Sequence, residues 1–248
     1  MTKNILLFFF ALCLFVNSNL RANLFMMPSF SFNNNQIFVK NQFIFSSTFS
    51  QNQYFNAVPF FNYKKFSTFR FNLYGGGENA RELINVNVTI HGQDITTILN
   101  HFKDEYKKII LVGHSLGCSA IMMSEYKLAN FLVFWDPSFE FLEWEHKEIA
   151  FQPQLDKYMF FWGRDYLVSK ELVREWQTFD LNLLEQITQP TKVIRAEKGV
   201  HLDNWIEHIK KIKTYHISTI KNADHCFYAE GTEQQLFLQT YDWISKFV

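Results

Sequence analysis

The chain has 248 residues, 48% of them apolar and 18% aromatic, with 29 Phe, 10 Tyr and 6 Trp. That apolar content excludes a disordered tail and is ample for one large core. Lys plus Arg and Asp plus Glu both number 24, so there is no cationic excess to neutralise a phosphate backbone, and nucleic acid is excluded as a main partner. Cys13, Cys118 and Cys226 are too few for a disulfide framework, and no two stand at a C-x-x-C spacing.

Lys3 precedes the apolar run Ile5 to Val16, and the polar stretch Asn17 to Ala22 follows. Twelve residues span about 18 Å as a helix, short of a hydrocarbon core about 30 Å thick. A basic start, a short apolar centre and a small residue at Ser18 or Ala22 predict a secretory signal peptide over residues 1–22. The protein is then secreted or periplasmic; an uncleaved membrane anchor or a buried first strand are the alternatives for the same run. Asn87-Val88-Thr89 fits a glycosylation acceptor, which matters only on a eukaryotic secretory route.

Residues 23–248 show no repeat and read as one domain. Runs rich in Phe, Ile and Val at Phe30 to Val39, Gln42 to Phe45 and Phe66 to Phe71 predict strands. Asp94 suits the cap of a helix whose Ile95, Ile98, Leu99, Phe102 and Tyr106 share one face. Lys108 to Val112 reads as a strand buried on both sides. A helix from Leu116 to Leu128 and strands at Phe131 to Trp135, Lys192 to Ile194 and Tyr215 to Ile220 follow, with a helix near Trp205 to Lys211. Thr232-Glu-Gln-Gln235 resembles a capping box opening a last helix, with Leu236, Phe237, Tyr241, Ile244 and Phe247 on its apolar face. Strands alternating with helices predict an α/β fold with a mostly parallel central sheet and helices on both faces.

Gly113-His114-Ser115-Leu116-Gly117 has the pattern G-x-S-x-G directly after a predicted strand and before a predicted helix. A chain that turns so sharply strains its central residue, and side chains two positions either side collide unless they are glycine. Ser115 would stand at the carboxyl edge of the sheet as a nucleophile, with the Leu116 amide beside it as an oxyanion donor.

With this motif the chain resembles the α/β-hydrolases over nearly its whole length after the leader. Asn72 to Asn79, with Gly75, Gly76 and Gly77, resembles the glycine-rich loop after that family's fourth strand. Ala223-Asp224-His225-Cys226-Phe227 resembles its histidine loop, which implies His225 as general base. The family's His-Gly oxyanion loop is replaced by Phe45-Ser46-Ser47-Thr48-Phe49, where Thr48 is the implied second amide donor. His114, inside the elbow, reads as a packing choice, and Cys118 and Cys226 as buried thiols near the site.

The resemblance leaves the acid open. The family places it in a Gly-x-x-Asp turn after the penultimate strand but one, where this chain has Ala196-Glu197-Lys198-Gly199. Asp203, in the same loop, comes first in order. Asp136 is second, because Trp135-Asp136-Pro137 resembles the pattern that carries the acid in pancreatic-type lipases. Glu197, nearer the strand end, is third. Each would hold the imidazole tautomer and stabilise the imidazolium.

Residues 137–190 match the place of a small helical lid insertion in this family. Met159, Phe160, Phe161, Trp162 and Leu167 there, with Phe49 and Tyr54, are candidates for an acyl-binding wall. A helix capped by Ser169 would present Leu172, Val173 and Trp176 along one side. The resemblance implies a serine hydrolase of esterase or lipase type that cleaves a carboxylic ester, thioester or amide. Its substrate would be a small or lipid-like acyl compound, and the chemistry calls for no metal or organic cofactor. A catalytically silent binding protein on the same fold and an acyltransferase are the competing readings.

Overall fold

The structure is a computed structural model, and it describes residues 5–12, 52–70, 81–139, 149–161, 165–199 and 204–247. The strands are β1 (Ile5–Leu12), β2 (Ser67–Arg70), β3 (Lys108–Ser115), β4 (Phe131–Pro137), β5 (Ile149–Gln152), β6 (Lys157–Phe161), β7 (Asp165–Val168), β8 (Thr191–Lys198) and β9 (Tyr215–Asp224). The α-helices are α1 (Asn52–Tyr63), α2 (Val88–Phe102), α3 (Leu116–Met122), α4 (Lys170–Gln177), α5 (Asn182–Glu185), α6 (Ile206–Ile209) and α7 (Thr232–Ile244). Six strands form one sheet in the order β2-β1-β3-β4-β8-β9, every neighbouring pair parallel.

Period-two alternation divides the core between the two faces of this sheet. Ile109 and Leu111 of β3, Leu132 and Phe134 of β4 and Val193 of β8 join a cluster with Ile95 and Leu99 of α2 and Ile121 of α3. Their neighbours Ile110, Val112, Val133, Trp135 and Ile194 join Phe61 of α1 and Leu236 and Ile244 of α7. Central strands covered on both sides read as unbroken apolar runs, which is why β3 and β4 were visible in the sequence.

Several boundaries differ from expectation. Helix α2 begins at Val88, capped by Asn87, whose side chain accepts from the Ile90 N–H; Asp94 lies inside the helix and pairs with Arg81. His91 and Gly92 belong to its buried face, so a pattern that counted only apolar residues started about two turns late. The Asn87 of the glycosylation triplet therefore serves as a cap. The expected helix from Leu116 to Leu128 is α3 followed by a separate 3-10 turn at Tyr126–Leu128. The final helix starts from Gly231, with φ of 75°, and Thr232 is its first helical residue. Glycine takes this left-handed position without strain.

Within the apolar run of the expected leader, Ile5–Leu12 form β1, hydrogen-bonded to β2 on one side and to β3 on the other. Cleavage near Ser18 or Ala22 would remove this strand, which lies between β2 and β3. The ambiguity is physical, because a short uncharged apolar run suits the centre of a leader and the centre of a parallel sheet equally. The strands expected at Phe30 to Val39 and Gln42 to Phe45 lie outside the described residues. So does the glycine-rich loop Asn72 to Asn79.

The described part of the segment between β4 and β8 holds helices α4 and α5 together with the antiparallel sheet β5-β6-β7. Ser169 caps α4 as expected: its Oγ accepts from the Leu172 N–H, and Leu172, Val173 and Trp176 are buried. Phe160 is fully buried in the larger core cluster and is not an exposed wall. Trp162 and Phe49 lie outside the described residues.

Candidate functional site

The apolar strand β3 runs directly into α3, and Ser115 stands at the junction with φ of 55° and ψ of −131°. A serine in that region is strained, and it is held there by the sheet on one side and the helix on the other. A Cβ on Gly113 would lie 2.8 Å from Ile121 Cδ1 and 3.1 Å from the Cys118 nitrogen, so any side chain there presses on α3. Leu116 begins α3, and its amide belongs to the first turn, whose N–H groups have no acceptor within the helix.

His225 follows β9 in a loop shaped by Asp224. One Asp224 carboxylate oxygen accepts from the backbone N–H of Cys226 at 2.8 Å and of Tyr228 at 3.2 Å, and the other from Ala229 at 3.1 Å. The loop turns back on itself at Phe227, whose φ is 56°. His225 Nε2 lies 2.9 Å from Ser115 Oγ, and Nδ1 lies 2.6 Å from Asp136 Oδ2. A carboxylate only accepts, so Nδ1 carries the proton and Nε2 accepts from the serine hydroxyl. Asp136 sits near the end of β4 with φ of 38°, and its other oxygen accepts from the Ala196 N–H of β8 at 2.8 Å. Ser115, Asp136 and His225 are all buried.

Ser115, His225 and Asp136 are thus brought together, and Asp136 is the second of the three acids ordered from the sequence. Glu197 is exposed and accepts from the Asn222 N–H at 2.7 Å, away from His225 Nδ1. Asp203 and Thr48 lie outside the described residues. Gly199, which stands where the family's acid was expected, has a telling environment: a Cβ there would fall 2.0 Å from Asp136 Oδ2. The carboxylate from β4 fills the space that a side chain from the β8 loop would need.

Cys118 is buried beside this group. Burial first, and then the charge of Asp136, push its thiol well above its ordinary pKa, so it stays an unreactive apolar neighbour. Among the described residues, neither Cys118 nor Cys226 forms a disulfide. Among the described residues no group of three or more His, Cys, Asp or Glu is placed to hold a metal ion. His114 was read as a packing choice, but its Nε2 lies 2.7 Å from the His225 carbonyl oxygen. The sequence signal for that contact was its place beside the nucleophile, and nothing local told a hydrogen bond from plain burial.

No sequence-family description and no curated protein sequence matches the chain. Its fold, by contrast, is shared with solved structures. Est1E from Butyrivibrio proteoclasticus, in a structure with ferulic acid bound, superposes with a TM-score of 0.68 at 14% identity, covering 99% of this chain and 90% of that one. A structure described under LipS and LipT, two metagenome-derived lipolytic enzymes, gives 0.63 at 12% identity over 99% of this chain and 94% of its own. A monoacylglycerol lipase from Paleococcus ferrophilus gives 0.57 at 13% identity over 78% and 88%.

Proposed function

We propose that this chain, which has the α/β-hydrolase fold, is a serine hydrolase that cleaves a small carboxylic ester through an acyl-enzyme on Ser115. The observation that carries the reading is the unbroken series from Ser115 Oγ through His225 to Asp136 Oδ2, with contacts of 2.9 and 2.6 Å at the mouth of a strained strand-to-helix turn. Each residue has one task. Ser115 Oγ attacks the carbonyl carbon as its proton passes to His225 Nε2, and the resulting imidazolium keeps its Nδ1–H on Asp136. The Leu116 amide, next to the nucleophile and in the first turn of α3, stabilises the oxyanion of the tetrahedral intermediate.

Collapse of that intermediate breaks the bond to the leaving alkoxide, which takes the proton from Nε2. Water then attacks the acyl-enzyme, giving its proton to the same nitrogen, and the carboxylic acid departs as Ser115 recovers its hydrogen. Asp136 contributes without changing protonation: it fixes the imidazole tautomer, and the Ala196 N–H on its second oxygen keeps it aimed. The ferulic acid held by Est1E, a small carboxylic acid, supports a substrate whose acyl part is of modest size.

A fluorophosphonate probe tests the reading, since it reacts only with an activated serine. The purified protein should label at Ser115, Ser115→Ala should abolish labelling, and p-nitrophenyl ester turnover should fall by about six orders of magnitude. A folded wild type that neither labels nor turns over p-nitrophenyl esters of any chain length rejects hydrolase activity.

A further inference from the structure

We propose that His114 is a positioning residue for His225: by donating its Nε2–H to the His225 carbonyl oxygen, it fixes the backbone from which the imidazole reaches Ser115 and Asp136. The proposal rests on the hydrolase reading for its kinetic consequences, though the contact itself does not.

The geometry makes a closed circuit. His114 is peptide-bonded to Ser115, its ring lies 2.7 Å from the His225 carbonyl oxygen, and the His225 ring lies 2.9 Å from Ser115 Oγ. The base is therefore referenced to the nucleophile's own strand through one short link. That link matters because His225 follows β9, the edge strand, whereas His114 belongs to β3 in the interior of the sheet. Asp224 organises the loop on the far side through the Cys226, Tyr228 and Ala229 amides, and those bonds set the turn without reaching the core.

The choice of residue also argues for more than filling. His114 is fully buried. Burying an imidazole where an apolar side chain would fit is unfavourable unless its polar atoms are used. A carbonyl oxygen can only accept, so Nε2 must carry the proton. The two rings also lie 4.7 Å apart at an interplanar angle of 34°, with Phe227 against His114 at 6.2 Å. Burial and the neighbouring His225 hold His114 neutral. A neutral ring does not oppose the positive charge that His225 gains when Ser115 attacks.

Three substitutions separate the donor from the bulk. His114→Phe and His114→Leu fill the space without a donor, whereas His114→Gln keeps an amide N–H of similar reach. With p-nitrophenyl esters, Phe and Leu should lower kcat by about 10- to 100-fold with KM unchanged, the loss expected for a base displaced by a fraction of an ångström to an ångström. Gln should restore most of that loss. The downfield Nδ1 proton resonance of His225 should be sharp in wild type and Gln and lost in Phe and Leu.

Equal kcat in all four proteins, or a Gln variant as impaired as Leu, overturns the proposal. If Phe and Leu fail to fold, His114→Asn, whose amide is one methylene shorter, replaces them in the comparison with Gln. A wild type that does not label with fluorophosphonate removes the hydrolase reading alone. The resonance then decides: dependence on a donor at 114 supports the positioning role, and indifference to it refutes that role.

Discussion

Replacing Gly199 by alanine places a Cβ 2.0 Å from Asp136 Oδ2 and 2.7 Å from both Cγ and Oδ1. Ordinary contact begins near 3.4 Å, so the carboxylate or the turn at the end of β8 must retreat by more than an ångström. Neither is free to do so at no cost. Oδ2 holds His225 Nδ1 at 2.6 Å, Oδ1 holds the Ala196 N–H at 2.8 Å, and the Gly199 N–H is bonded to the Ala196 carbonyl at 3.2 Å. A misplacement of about 1 Å in such a group costs about 10²-fold in rate, and loss of the correct imidazole tautomer costs about 10⁴-fold. Gly199→Ala should therefore lower kcat by about two to four orders of magnitude, between those two limits.

Asp136→Asn should lie near the lower limit of activity, and the double variant should be no worse than Asp136→Asn alone, because both changes act through one carboxylate. The assay is p-nitrophenyl acetate turnover, with melting temperatures as the check on folding. A folded Gly199→Ala enzyme with wild-type kcat refutes the crowding argument. Effects that multiply in the double variant show that the two changes act separately.

His91, fully buried on α2, gives a pH prediction. Burial, and secondarily the charge of Arg81, push its pKa from 6.5 down to about 3. The folded value lies below the unfolded one, so on acidification the unfolded chain takes the proton first. Stability from this group is full above about pH 6.5 and drains as the pH falls toward 3, by about 1.4 kcal/mol per unit, or about 2 kcal/mol at pH 5. Urea midpoints at pH 7.5 and 5 should therefore differ less in His91→Leu than in wild type; equal differences would sink the assignment. For the N-terminal run, a chain beginning at Asn23 should fail to fold cooperatively, because β1 is paired on both sides. A truncated protein that melts and turns over like the full chain would refute a structural need for β1.

The elbow was legible because its sterics are local: Gly113, Ser115 and an apolar strand before them state the turn within eight residues. The carboxylate partner of His225 was not, because Asp136 lies two strands from β9 and reaches His225 Nδ1 only through the assembled sheet, which no local pattern states. One sequence sign did point the right way. Glycine at 199, read as the absence of the family's acid, is also the vacancy that an acid arriving from β4 requires. The first two turns of α2 were missed because His91 and Gly92 are buried without being large apolar residues. Gly92 is where the backbone of Met123 approaches closely, leaving no room for a Cβ. The aromatic excess has a plain role where it is described: Phe61, Phe134, Phe139 and Phe160 are interior packing.

Ser115 and Asp136 end neighbouring strands, β3 and β4, while His225 arrives from β9, two strands farther along the sheet. The β3–β4 register shifts just there, His114 pairing with Trp135 and Ser115 with Pro137, so Asp136 sits at an irregularity of the kind that re-aims a side chain. Of the three, His225 alone follows the edge strand. A chain built this way divides its labour: Ser115 and Asp136 are carried by interior strands, and His225 comes in from the margin and is tied back to β3 through His114.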